Sequence, residues 1–102
     1  MIKLTIAIPT WNRSEKLKVC IESVLAQINN DNIENVELLI SNNASTDDTK
    51  SLVTRIVIEN PNVNISYYEH DINVGFDRNV NSLFKNAKGE FVWLVSDDDA
   101  LI

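Results

Sequence analysis

Leu4-Thr5-Ile6-Ala7-Ile8-Pro9 is a short apolar run stopped by a proline, and the pattern of the next thirty residues decides the fold. Leu17, Cys20, Ile21, Val24, Leu25 and Ile28 recur at spacings of three, one, three, one and three, the stripe of an amphipathic helix. A second apolar run, Val36-Glu37-Leu38-Leu39-Ile40, comes next. Strand, helix, strand in that order is the unit of a parallel sheet covered by helices.

The alternation continues outward. Asn12 with Glu15 offers a capping pair for the first helix, and Ser45 with Asp48 has capping-box spacing ahead of Leu52, Val53, Ile56 and Val57. The second helix so defined should end by Pro61. Val63 to Tyr68 reads as a third strand, and Val80, Leu83, Phe84 and Ala87 as a third helix, with Gly89 placed for a left-handed C-terminal residue. Phe91-Val92-Trp93-Leu94-Val95 reads as a buried fourth strand. Right-handed crossovers lay these elements out as a Rossmann-like open parallel sheet, βαβαβαβ, with the strand order 3-2-1-4 expected.

The composition narrows the function. A chain of 102 residues is one domain, large enough for a single core. Its net charge of −6 and the lack of a Lys/Arg-rich stretch argue against nucleic-acid binding. No signal-like leader is expected, and no apolar stretch approaches the ~18 residues that span a bilayer. The single cysteine, Cys20, lies on the apolar stripe of the first helix and reads as a small buried hydrophobe; having no second cysteine fits a reducing compartment. His70, between Glu69 and Asp71, has no His or Cys at ligand spacing and reads as a loop residue.

Three of the four strands run into polar clusters: Pro9-Thr10-Trp11-Asn12-Arg13, Ser41-Asn42-Asn43 and Ser96-Asp97-Asp98-Asp99. Ligands of open α/β sheets bind outside the carboxyl ends of the strands, where the strand order reverses, so all three clusters should converge on one crevice. The acid triplet needs a positive partner, because adjacent carboxylates repel by ~1 kcal/mol per pair even in water. Mg²⁺ or Mn²⁺, held by one or two carboxylates with other positions left to water and phosphates, is the expected one.

Four segments in order carry a resemblance. Ile8-Pro9-Thr10-Trp11-Asn12-Arg13, Ser41-Asn42-Asn43-Ala44-Ser45-Thr46-Asp47-Asp48-Thr49, Asn73-Val74-Gly75-Phe76-Asp77-Arg78-Asn79, and Lys88-Gly89-Glu90-Phe91-Val92-Trp93-Leu94 with its Asp triplet resemble the motifs of GT-A fold, family 2 glycosyltransferases. The last is similar to the DxD motif. The variant wording, Ser-x-Asn-Ala-Ser-Thr-Asp and Gly-Phe-Asp-Arg-Asn, looks like the branch that adds sugars to bacterial surface polysaccharides, including abequosyltransferase-like enzymes.

The resemblance implies a nucleotide-sugar donor, a carbohydrate or lipid-linked acceptor, Mg²⁺ or Mn²⁺, and a cytoplasmic location at the inner face of the membrane for the full-length protein. It places Pro9, Thr10, Trp11, Asn12, Arg13, Asn42, Asn43, Arg78, Asp97 and Asp98 against the nucleotide, and Asp97 and Asp99 on the metal. Trp11 would stack on the base; the alternative is a core or hinge aromatic. Asn42 stands where the family has an Asp that reads the base, or else Asn43 faces the ligand instead. Arg78 lies either near base and phosphates or in solvent. Ala44 replaces a Gly, so a φ > 0 turn there is not expected to form freely, whereas Gly75 reads as a backbone turn. Ser45, Thr46 and Asp47 read as caps.

Residues 1–102 are then expected to be a donor half ending just after the DxD motif, without the acceptor half and without a general base. Such a piece should bind nucleotide weakly and transfer little sugar. Two rivals stand beside this. A nucleotidyltransferase normally has a Gly-rich phosphate loop after its first strand, yet Pro9 to Lys16 contains no glycine. A non-catalytic module would self-associate through an uncovered Trp93, Leu101 or Ile102.

Overall fold

Parallel strands cannot be joined by tight turns, and each helix of this chain supplies one crossover between them. The computed structural model describes residues 1–31 and 33–98. Its elements are β1 (Leu4–Thr10), α1 (Ser14–Asn30), β2 (Val36–Asn42), α2 (Thr49–Glu59), β3 (Asn64–Glu69), α3 (Phe76–Asn86) and β4 (Phe91–Leu94). All pairings are parallel, in the order β3-β2-β1-β4 expected from the sequence.

Strand residues alternate between faces, so β1 and β2 serve two different layers. Ile6, Ile8, Leu38 and Ile40 meet the whole apolar stripe of α1 and Leu52, Val53 and Ile56 of α2 in one core. Each of these side chains gains about 1.5–3 kcal/mol by leaving water. The other face is thin: Ala7, Leu39 and Leu83, with Ala87 and Val92 at its margin. Polar bonds complete the docking of α3 there. Glu37, 1% exposed, accepts from Thr5 Oγ1 at 2.8 Å and from the Lys88 amide at 3.1 Å. Asn79 on α3 bonds Ser41 through both its amide atoms.

Several expectations are corrected. β1 does not stop at Pro9 but passes through it to Thr10. Backbone groups two apart point the same way, and Ala7 O accepts from Val95 N, so Pro9 turns its missing N–H toward the side where β4 has already ended. Neither expected capping pair forms: α1 and α2 have no side-chain bond from their cap residues Arg13 and Asp48. Instead Asp47 serves both helices, accepting from the Ser14 amide at 3.2 Å and the Thr49 amide at 3.1 Å.

Gly89 is not a left-handed helix terminator, since Gly75 is the glycine with positive φ and Ala87, beyond α3, is extended. It is glycine because a Cβ there would lie 2.5 Å from the Thr5 amide nitrogen. Ala44 does adopt φ 60 despite its side chain. β4 is an edge strand and not a buried one, with Phe91 66% and Trp93 48% exposed.

Candidate functional site

The loops after β1 and β2 are cross-linked into one unit. Asn43 N donates to Thr10 O at 2.9 Å, Asn12 N to Ser45 Oγ at 2.9 Å, and Thr46 N to Asn12 Oδ1 at 2.7 Å. Asn12 sits at φ 50, a left-handed position that asparagine tolerates better than most residues. These bonds fix the backbone on either side of Trp11 while leaving its ring 50% exposed.

The end of β4 is tied to the same unit. Thr10 Oγ1 donates to Asp97 Oδ2 at 2.9 Å, across 87 positions of chain. Arg13 Nη1 lies 3.5 Å from Asp97 Oδ1 and 3.3 Å from Asp98 Oδ2, and Ser96 Oγ donates to Asp98 Oδ1. The two neighbouring carboxyls are therefore pushed apart in acidity. Burial raises Asp97, against the Thr10 hydroxyl and the Arg13 charge. The Ser96 hydroxyl, with help from Arg13, lowers the solvent-facing Asp98. A pair of acids split by environment is a common mark of a functional site.

The carboxyl ends of β1, β2 and β4 and the start of α3 enclose a cleft of about 590 Å³. Of the residues expected at the ligand, Pro9, Thr10, Trp11, Arg13, Asn43 and Asp97 line it. Asn12, Asn42 and Asp98 are not among the lining residues. The buried Asn42 side chain is used internally, accepting from Ser45 N and donating to Tyr67 OH. Asn43 borders the cleft, held by Asn73 and the Val74 amide. Arg78 borders a separate concavity with His70 and Lys85. Asp99 falls outside the described residues, as do Leu101 and Ile102.

Sequence reasoning misses Asn73, Phe76 and Asn79 as cleft residues. The signal is present, since all three lie in the Asn73-to-Asn79 motif, of which Arg78 alone is expected at the ligand. His70 Nε2 meets Asn79 Oδ1 at 3.1 Å, so the lone histidine braces the wall between the two concavities. Cys20 is buried as expected, with its thiol 3.6 Å from Ser96 O. Among the described residues no three His, Cys, Asp or Glu gather as a metal cluster.

Comparison with known proteins settles the family. The profile of "Glycosyl transferase family 2" matches residues 5–102. The chain belongs to this glycosyltransferase family. Abequosyltransferase RfbV of Salmonella typhimurium is 38% identical over 100 residues, 96% of this chain and 28% of the relative. A GalNAc(5)-diNAcBac-PP-undecaprenol beta-1,3-glucosyltransferase of Campylobacter jejuni is 31% identical over 102 residues, 100% of this chain and 31% of the relative. The chain thus spans under a third of the length of these two family 2 proteins. Among solved structures, the mannosyltransferase PcManGT of Pyrobaculum calidifontis, in complex with GDP-Man and Mn²⁺, superposes with a TM-score of 0.86 at 25% identity, covering 94% of this chain and 27% of that one. S. aureus TarS 1-349 in complex with UDP gives 0.79 at 27% identity, covering 97% and 28%. The fold is the GT-A fold of these enzymes, and family membership sets aside the nucleotidyltransferase alternative.

Proposed function

We propose that this chain is the donor-binding part of a glycosyltransferase, whose cleft takes the nucleoside diphosphate of a nucleotide-sugar. The observation that carries this reading is the convergence of three strand ends on one cleft, with an exposed aromatic ring, a cation and a carboxylate on its walls. Trp11 offers a face for the base, and Asn43 and Asn79 border the cleft with amides already fixed by protein bonds. Arg13 is the cation within reach of a diphosphate.

Asp97 has a hard oxygen donor suited to Mg²⁺ or Mn²⁺: Oδ2 is fixed by Thr10, while Oδ1 faces Arg13 at 3.5 Å. Asp97 would hold such an ion together with Asp98 or Asp99. When bound, the ion offsets charge on the departing nucleoside diphosphate. The protein's own part is to fix that carboxylate and keep Arg13 beside it. PcManGT, the structural relative with GDP-Man and Mn²⁺, favours this donor and metal.

The chain spans under a third of the length of its Salmonella and Campylobacter relatives, and by itself it is expected to bind donor and transfer little sugar. The name of the Campylobacter jejuni relative, a PP-undecaprenol glucosyltransferase, favours a lipid-linked acceptor for the full-length protein, and to this we add a surface-polysaccharide product made on the cytoplasmic side of the membrane. No helix among the described residues is long and apolar enough to cross a membrane.

The test is tryptophan fluorescence on titration of UDP and GDP in the presence of Mn²⁺. Quenching that disappears in Trp11→Leu, together with an affinity loss of about 1–3 kcal/mol, is the expected result. Quenching that survives in Trp11→Leu would place the base elsewhere.

A further inference from the structure

We propose that Arg13 is a built-in counter-cation for the Asp97–Asp98 pair, bridging both carboxylates through Nη1, that a divalent ion displaces and that then turns to the diphosphate. This rests on the donor-site reading above. One guanidinium nitrogen is shared between the two acids, at 3.5 Å from Asp97 Oδ1 and 3.3 Å from Asp98 Oδ2. A divalent ion held by this pair would use those oxygens, and two cations cannot share them without repelling each other.

The contact is built to yield. Strong Arg–carboxylate pairs are bidentate and shorter, with two parallel N–H···O bonds near 2.8 Å. Here a single nitrogen makes two long contacts, and the side chain is half exposed. Among the described residues the guanidinium has no other ion pair. Its backbone, by contrast, is anchored: Arg13 O accepts from Leu17 N at 2.8 Å, and the neighbouring Asn12 and Ser14 are bonded to the loop after β2. A half-exposed head on a fixed base can leave the acids and stay in the cleft that it lines.

The two ligands are then coupled with a defined sign. Without metal, Arg13 quiets the acid pair and is occupied. With metal, Arg13 is released to the phosphates, so metal binding strengthens diphosphate binding and the reverse holds equally.

Free-ion Mn²⁺ spectroscopy on the 102-residue chain reads the first half: Mn²⁺ alone is titrated into the unsubstituted protein, Arg13→Gln and Arg13→Lys. Removing the charge should tighten Mn²⁺ binding about threefold to tenfold, the range for two weak ion pairs of a half-exposed guanidinium. Arg13→Lys should stay near the unsubstituted value. Titration of UDP and GDP at saturating Mn²⁺ reads the second half, and Arg13→Gln should bind them about tenfold more weakly. Opposite changes for the two ligands are the signature, since a merely structural role would weaken both together. If the unsubstituted chain binds Mn²⁺ and Arg13→Gln binds it no tighter, the counter-cation role fails while the donor site stands. If the unsubstituted chain binds no Mn²⁺, the metal reading fails and this proposal with it.

Discussion

At Asp97 the requirements of folding and of function oppose each other. The carboxyl is 6% exposed, and burial raises its pKa despite the Thr10 bond and the Arg13 charge. An acid whose folded pKa exceeds its unfolded value costs stability once the pH passes the ordinary carboxylate range, and the cost is complete above the raised value. Asp97→Asn keeps an acceptor for Thr10 Oγ1 and removes that charge. Its expected outcome is a chain at least as stable as the parent at neutral pH, with the advantage shrinking on acidification, and with Mn²⁺ binding lost. Thermal melting across pH beside a Mn²⁺ titration checks it. A large loss of stability at neutral pH would show the carboxylate to be structural. Individual residues are also where the sequence is least legible. Asn42 and Asn43 are adjacent amides of the same type, and only the three-dimensional bonds tell which is spent on Ser45 and Tyr67 and which borders the cleft. Asn12 likewise reads as a ligand contact or a cap, and its bonds to Ser45 and Thr46 link the two loops.

Among the elements, the strands and helices are readable because apolar periodicity is a direct consequence of burial on one face or two. The six stripe residues of α1 are all buried. Element ends are less readable, because caps depend on which side chain reaches a helix terminus in space. Asp47 displaces both expected capping pairs by reaching the first turn of α1 from the loop before α2. Gly89 shows the same limit: a glycine just after a helix suggests a left-handed terminator, yet its cause is the close approach of β1. Its amide donates to Thr5 Oγ1 at 2.9 Å, and the missing Cβ leaves room for the Thr5 backbone. Gly89→Ala should therefore cost about 1–3 kcal/mol by overpacking, measured by urea denaturation. It should also loosen the start of β4, seen as faster amide exchange there. A near-neutral effect would mean that the segment shifts freely and that Gly89 does not position the strand that leads to Asp97.

For the molecule as a whole, the two layers are unequal, and the edge strand reaches beyond both. One face of the sheet is covered by α1 and α2 over β1 and β2, while the other has α3 alone and relies on the polar bonds of Glu37, Ser41 and Asn79. The edge strand β4 leaves Phe91 and Trp93 in solvent on the α1/α2 side of the sheet, beside Leu4 and Ile6 but beyond the cover of those helices. Exposed apolar side chains on a strand edge favour pairing with another chain. The 102-residue chain is expected to self-associate with rising concentration, and Phe91→Lys is expected to reduce this, by sedimentation velocity at several loadings. A monomer at every concentration would contradict the expectation. The convergence of strand ends is legible from the sequence because the topology forces it: once β1 lies between β2 and β4, their polar ends must meet. What the topology cannot supply is the rotamer of each side chain, and hence the ion pair of Arg13 with both acids.

The most direct test of the donor cleft is isothermal titration of UDP, GDP, TDP and CMP into the chain with and without Mn²⁺, alongside Asp97→Ala. Metal-dependent binding of one nucleotide, lost in Asp97→Ala while the fold by circular dichroism is retained, is the predicted result. Absence of binding by any of the four to the folded, metal-supplied protein would contradict the donor-cleft reading.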